Sequence, residues 1–408
     1  MFTLKNINIK DYTYNLPSEK IAKYPLTKRN NSKLLIYKDK KVSQANFNAL
    51  TEILPAETLL VLNDTKVIQA RLHFWKETGA KIEIFCLNPY EPADYSQAFN
   101  AIGKCKWKCI VGNLKKWKNQ ILIKKFTIDN TEYQLTANRV GEEQDSQIIE
   151  FQWKSELTFG TILENIGTTP IPPYLDRKAE QNDKQTYQTV YSKFDGSVAA
   201  PTAGLHFTKD VFDKLQKKNI STSEITLHVG AGTFRPVKSD TIGEHEMHTE
   251  NFYVTRTNLQ KYISNLGNIT SVGTTSMRSL ESLYWLGVKL LNKNSQIENK
   301  LFISQWEVYN MPQNIDPKIA LEALIKYMSL KNIETLYAAT QIIIAPGYKF
   351  RIVNNLITNF HQPRSTLLLL VAAFVGNNWK KIYNYALTNE FRFLSYGDSS
   401  YLTCTTNY

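Results

Sequence analysis

The chain has 408 residues, 42% of them apolar and 21% charged, which excludes a wholly disordered or collagen-like polymer. Lys and Arg number 49 against 37 Asp and Glu, a net charge of +12 that points towards a polyanionic partner, most often nucleic acid, or simply towards a lysine-rich composition. The longest apolar run, Leu367 to Val375, is too short to span a bilayer. The first residues carry no long apolar core and no small-residue cleavage site, which argues against a secretory signal. Four cysteines in a chain this long do not make a disulfide framework.

In chain order, Leu34–Tyr37 reads as a strand followed by a hairpin turn at Lys38–Lys41. Leu59–Leu62 is a buried strand that ends in the polar pair Asn63 and Asp64. From Arg71 the texture changes. Lys81–Leu87 alternates, and short strands follow at 107–111, 121–123, 133–135 and 147–151 with turn residues between them. This predicts a small all-β barrel over 70–158. Beyond 160 strands and helices alternate, with strands at 225–229, 269–272 and 341–344 and helices near 208–219, 275–290, 317–330 and 364–375. The predicted architecture is α/β plus all-β: a discontinuous α/β domain, 1–69 and 159–408, interrupted by the barrel.

Five of the six histidines lie after residue 200, beside Gly turns or polar residues: His206, His228, His245, His248 and His361. Each is either a satisfied structural histidine or part of a site, and the grouping favours a site. Glu244-His245-Glu246-Met247-His248 is not a zinc helix, because its histidines are three apart and Gly243 breaks its start. Cys105 and Cys109 lack a second pair to complete a tetrahedral centre. No metal site is expected. His228–Thr233 is Gly-rich after a strand, but it does not open a dinucleotide-binding helix. Val272–Glu281 reads as a strand, a Gly turn and a hydroxyl-rich helix start. It either caps the helix or holds a carboxylate, with Arg278 assisting. Lys104–Lys125 contains eight lysines, no acid, and Trp107 and Trp117. It is either a nucleic-acid surface or a lysine-protected barrel edge.

Taken together, these strings resemble the S-adenosylmethionine:tRNA ribosyltransferase-isomerases of queuosine biosynthesis. The resemblance runs from Asp11-Tyr12 and Ile21–Pro25 through Leu62–Ile68, Pro172-Pro173-Tyr174, Tyr187–Tyr191 and Val198–Thr208. It continues through Thr226–Phe234, His245 and His248, Val272–Ser276, Pro346-Gly347-Tyr348, Thr358–His361, Ser365–Leu367 and Phe393–Asp398. It implies a three-layer α/β/α domain interrupted by a β-barrel. It also implies transfer and isomerisation of the ribosyl part of S-adenosylmethionine onto 7-aminomethyl-7-deazaguanine at the wobble position of a tRNA with a GUN anticodon. The products would be epoxyqueuosine-tRNA, adenine and methionine. S-adenosylmethionine is then a consumed donor, no resident cofactor is implied, and the expected location is the cytoplasm, with no membrane partner. The oligomeric state is left open, a monomer included.

Carried over residue by residue, the resemblance places His206, His228, His245, His248 and Asp64 in catalysis, with Glu244 in the same strings. His206 and His228 are the expected acid–base pair, because both follow small-residue turns. Thr233, Arg235, Thr274, Thr275 and Arg278 would hold the donor. Asn359, His361, Tyr396 and Asp398 would complete substrate binding, and Lys115, Lys116 and Lys118 would meet RNA. The steps stay unassigned among them. A segment over 285–340 departs from the family pattern as an apparent insertion, which suggests a lid, an RNA contact or an oligomer surface. Two other readings remain: the same chemistry on another acceptor, and an RNA-binding module without catalysis.

Overall fold

A computed structural model describes residues 2–118, 120–143, 146–230, 237, 239–292 and 301–406. In chain order the strands begin with β1 (Lys33–Lys38), β2 (Lys41–Asn46), β3 (Leu59–Asn63) and β4 (Thr65–Val67). Next come β5 (Arg71–Trp75), β6 (Lys81–Glu91), β7 (Lys104–Gly112), β8 (Leu122–Ile128), β9 (Thr131–Glu143) and β10 (Ser146–Trp153). The remainder are β11 (Phe194–Ser197), β12 (Ser221–His228), β13 (Glu250–Thr255), β14 (Ile269–Val272), β15 (Leu301–Ile303), β16 (Thr335–Thr340), β17 (Asn355–Asn359) and β18 (Ser399–Thr403). The described helices of eight residues or more are α1 (Phe159–Ile166), α2 (Lys209–Lys217), α3 (Arg256–Ser264), α4 (Thr274–Leu291), α5 (Pro317–Leu330), α6 (Thr366–Val375) and α7 (Asn378–Thr388). None of the described helices is long and apolar enough to cross a membrane.

Ten strands form one mixed sheet in the order β15-β16-β13-β12-β3-β14-β17-β18-β1-β2. Its centre, β12, β3, β14 and β17, is parallel. Every residue of β3 is buried, as a central strand covered on both faces requires. Alternation divides its side chains between two cores. Leu59 and Val61 join Met277, Leu280 and Tyr284 of α4, whereas Leu60 and Leu62 join Val211 and Leu215 of α2. Helix α6 is apolar all round and accordingly buried along most of its length.

Strands β5 to β10 make a separate six-stranded antiparallel sheet in the order β5-β6-β7-β10-β9-β8. Its edges, β5 and β8, approach each other, and the Lys124 ammonium donates to the His73 carbonyl across the gap. The sheet is therefore a nearly closed barrel. The chain enters at Arg71 and returns at Thr168, where the two residues exchange backbone hydrogen bonds of 3.3 and 2.9 Å. Trp107, Trp117, Leu135 and Phe151 fill the interior with Phe159 and Ile162 of α1. Trp107 and Trp117 are thus core residues and not surface rings beside the lysines. Cys105 and Cys109 are buried too, with Cys109 opposite Cys86 on β6.

The expected strand at 341–344 is not formed. The ladder ends with β16 at Thr340, and Ile342 donates instead to Thr340 Oγ1, while its carbonyl accepts from Arg278. The rest of this buried backbone is satisfied in part by main chain and in part by side chains: the Gln341 and Ile343 N–H groups donate to the Ile303 and Gln305 carbonyls, and the Ile343 carbonyl accepts from Tyr309. Within 285–340, β15 and β16 build one edge of the main sheet and α5 packs on α4. At Gly287 an added Cβ would lie 2.0 Å from the Ala320 carbonyl oxygen of α5. Gly287→Ala is expected to destabilise the protein by about 1–3 kcal/mol through overpacking, read as a lower urea midpoint at unchanged m-value.

Candidate active site

In an open α/β sheet, ligands sit outside the carboxyl ends of the parallel strands. Here those ends open onto a cleft with ≈ 760 Å³ of empty space, its solvent mouth included. Val229 follows β12, Gly273 follows β14, and Thr358 and Asn359 close β17; all line the cleft with Ala199–Ala203, His361, Ser395 and Tyr174. Two helices begin at its wall. Thr274 and Thr275 open α4 after Gly273, whose φ of 94° suits a residue without a side chain. Ser365 caps α6, its Oγ accepting from the Leu368 N–H. Both helix N-termini bring partial positive charge to the cleft.

Asn359 organises the polar wall. Its Oδ1 accepts from Thr202 at 2.9 Å, and its Nδ2 lies 3.3 Å from His206 Nε2. The other ring nitrogen of His206 is 2.8 Å from Ser32 Oγ. Burial, reinforced by Arg392, pushes the His206 imidazole down to about 3. His361 lies in the wall with Nε2 3.0 Å from Thr358 Oγ1, and its backbone is held by Tyr383 and Tyr14. Burial lowers it, too, to about 3. At neutral pH both rings are therefore uncharged. This sets them apart from the near-neutral titration that acid–base chemistry prefers.

The remaining expected residues that the structure describes do not converge on this cleft. His228 points to the opposite face from Val229. It stacks on Tyr95 of the barrel unit at 3.8 Å and 10°, with Tyr253 at 5.8 Å. Burial depresses it to about 4, and its Nδ1 has no hydrogen-bond partner among the described residues. Asp64 is on the same side. It accepts from Thr226 Oγ1 at 2.7 Å, and burial raises its pKa.

His245 and His248 form a third group. Burial, and then His248, lowers the His245 pKa. His248 Nε2 is 3.2 Å from Glu250 Oε1, and Arg278 donates to Glu250 Oε2 at 2.6 Å. Glu250 is wholly buried, which works against its charge, yet Arg278 and His248 hold its pKa below the usual carboxylate range. The guanidinium expected to hold the donor is thus engaged by a carboxylate and lies outside the cleft wall. Tyr396 donates to Asp183, which pairs with Arg177. Asp398 accepts from the backbone N–H groups of Lys33 and Arg392, binding two loops together. Glu244 is exposed, and Lys115, Lys116 and Lys118 are exposed on the barrel unit. Thr233 and Arg235 lie outside the described residues.

Tyr174, Thr202, Thr358 and Ser395 are wall residues that received no role from the sequence, although Tyr174, Thr202, Thr358 and Ser395 all lie inside the strings that carried the resemblance. The depressed histidines have a measurable consequence. Below about pH 6.5 the unfolded chain protonates them and the folded chain does not, so stability falls with acidification towards pH 3–4. Each contributes up to about 1.4 kcal/mol per pH unit in that window. Denaturant midpoints measured from pH 7 to pH 5 should fall, and His206→Gln should flatten the slope; equal slopes would remove His206 from the account.

The family model described as "Queuosine biosynthesis protein" matches residues 9–316 and 318–402. A relative named S-adenosylmethionine:tRNA ribosyltransferase-isomerase from Thermosipho melanesiensis is 35% identical over 402 residues, covering 97% of this chain and 100% of the relative. One of the same name from Trichlorobacter lovleyi is 34% identical over 397 residues, covering 96% and 98%. The crystal structure of an S-adenosylmethionine tRNA ribosyltransferase from Thermotoga maritima is 26% identical with a TM-score of 0.45, covering 96% of this chain and 99% of that one. With its motifs in order along nearly the whole length, the chain belongs to the queuosine biosynthesis protein family.

Proposed function

We propose that this chain is an S-adenosylmethionine:tRNA ribosyltransferase-isomerase. It transfers and isomerises the ribosyl moiety of S-adenosylmethionine onto 7-aminomethyl-7-deazaguanine at the wobble position of tRNAs with a GUN anticodon. The products are epoxyqueuosine-tRNA, adenine and methionine. The donor is consumed, so the reaction uses no resident cofactor, and its place is the cytoplasm with the tRNA pool. The observation that carries this reading is the cleft at the strand ends, whose polar wall of Thr274, Thr275, Asn359 and His361 meets two helix N-termini. The names of the relatives supply the reaction.

In this reading the helix N-termini receive the donor's carboxylate through backbone N–H groups. The sulfonium acidifies the neighbouring C5′–H, and the neutral imidazole of His361 accepts that proton, while His206 holds the Asn359 amide from behind. The aminomethyl nitrogen attacks, adenine leaves, and methionine departs as the epoxide closes. His228, Asp64, His245, His248, Tyr396 and Asp398 stand at other positions and act through conformations or ligands that bring the walls together. Arg278 positions α4 through Glu250. The cores on the two faces of β3 support a three-layer main domain, 1–69 and 159–408, around an inserted barrel, 70–158. Lys115, Lys116 and Lys118 belong to the RNA-facing side of that barrel.

The test is an incubation with S-adenosylmethionine and a tRNA carrying the aminomethyl-deazaguanine base. Adenine, methionine and an epoxyqueuosine nucleoside in the tRNA are expected. S-adenosylhomocysteine would replace the reading with methyl transfer. His361→Ala should lower adenine release by roughly 10²–10⁴-fold if it takes the proton. A change below tenfold would remove it from that role.

A further inference from the structure

Five of the seven tryptophans are buried and Trp306 is half-buried, but Trp75 is 56% exposed. It ends β5 on the outer face of the barrel, the face it shares with Arg71 and His73, while Leu72 and Phe74 point inward. Two ammonium groups flank its ring: Lys81, its cross-strand partner on β6, at 5.9 Å from the centroid, and Lys124 of β8 at 5.5 Å. Lys76, next in the chain, donates to the Lys116 carbonyl and ties this corner to the exposed lysines of the 114–118 turn. Of the nearby acids, Glu83 is paired with Arg71 at 2.5 Å and lies 3.0 Å from His73 Nε2, and Glu77 is in the β5–β6 turn.

We infer that Trp75 is a stacking platform for an unpaired base of the substrate RNA, with Lys81, Lys124 and the 114–118 lysines on the flanking phosphates. The inference rests on the reading that the chain acts on tRNA. An exposed indole stacks on any base, and surrounding ammonium groups neutralise the backbone on either side. The contact of exposed Lys81 with the ring is weak and gives way to a base, leaving that ammonium free for phosphate, while half-buried Lys124 keeps one donor on the His73 carbonyl and offers the others. The platform is four residues along β5 from the junction at Arg71, about 13 Å at strand rise, and neither Trp75 nor Arg71 lines the cleft. A partner built on charge complementarity to this corner is anionic, and the ring adds a preference for unpaired bases over a uniform polyanion.

The experiment is the binding of a fluorescein-labelled GUN-anticodon tRNA transcript to the full chain, by anisotropy, between about 50 and 200 mM salt. Trp75→Ala should weaken binding about 5- to 100-fold, and Trp75→Phe should restore most of it. Lys81→Ala should reduce the slope of log K against log salt by about 1. Unchanged binding by Trp75→Ala, with an unchanged thermal transition, overturns the inference. Adenine release by the wild-type protein is followed alongside. Release together with indifference to Trp75 overturns the platform and leaves the proposed reaction standing. No release, together with weakened binding by Trp75→Ala, overturns the reaction and leaves the RNA surface standing.

Discussion

The cleft exists because two neighbouring parallel strands part company, and one buried amide makes that parting stable. β3 and β12 stay in register up to Asn63 opposite Ile225. Beyond that point the Asn63 side chain replaces the ladder: its Nδ2 donates to the Leu227 carbonyl, and its Oδ1 accepts from the Leu227 and Thr65 N–H groups. Thr65 and Ser197 join hydroxyls at 2.7 Å, and Ser197 accepts from the Val229 N–H. Each backbone group orphaned by the splay has a partner, at a place where an unpaired buried group would cost about 1–3 kcal/mol. The wedge of β4 and β11 holds β12 away from β3, and Val229 and Ala199 reach the cleft as a result. Replacing Asn63 by an apolar residue of similar size would leave the strand ends without this bridge.

The same splay fixes the second side of β12. His228 is held between the ring of Tyr95 and Gly196, where an added Cβ would lie 2.3 Å from His228 Nδ1. Gly196 has φ 144°, so backbone conformation and space both demand glycine there. Through this packing the barrel unit, which carries Tyr95, is seated against the end of the strand that lines the cleft on its other face. Alternation along one strand therefore separates two histidine environments that look equivalent as strings: small-residue turns precede both His206 and His228, but they face different spaces.

Much of the architecture is written locally. The α4 helix was expected over 275–290 and runs from Thr274 to Leu291, because a strand, a left-handed glycine and a run of hydroxyls mark its start without tertiary help. In the lysine-rich stretch, period-two alternation separates the charges from the rings. In Lys104-Cys105-Lys106-Trp107-Lys108-Cys109 the lysines face out, and Trp107 shares the inward face with the cysteines. Counting charge over a window erased that distinction. The same alternation in Arg71-Leu72-His73-Phe74-Trp75 puts Trp75 on the polar face, so the exposed ring was legible and the buried ones were too. The site residues were legible as types but not as partners. His206, Ser32 and Asn359 are brought together by β1, β17 and the 202–206 turn, and no local pattern links positions that far apart. The engagement of Arg278 with Glu250 is of the same kind, a contact between a helix and a strand that become neighbours only in the sheet.

The absence of ionised side chains from the described cleft wall bears on the chemistry proposed for it. A buried histidine held down to about 3 resists becoming an imidazolium, since a low-dielectric site penalises new charge. Proton transfer from a carbon beside a sulfonium to a neutral imidazole creates no new net charge. One cation, the sulfonium, becomes a neutral ylide as the other appears on the ring. The charge moves a few ångströms within the cleft, and the desolvation that opposes protonation from water opposes this exchange far less. The donor's carboxylate is the group that needs fixed complementarity, and the N-termini of α4 and α6 supply it as dipoles that leave the wall uncharged. Burial that makes His361 a poor titrating group towards water is thus compatible with its acting as a base towards this particular donor, and less so towards an uncharged one.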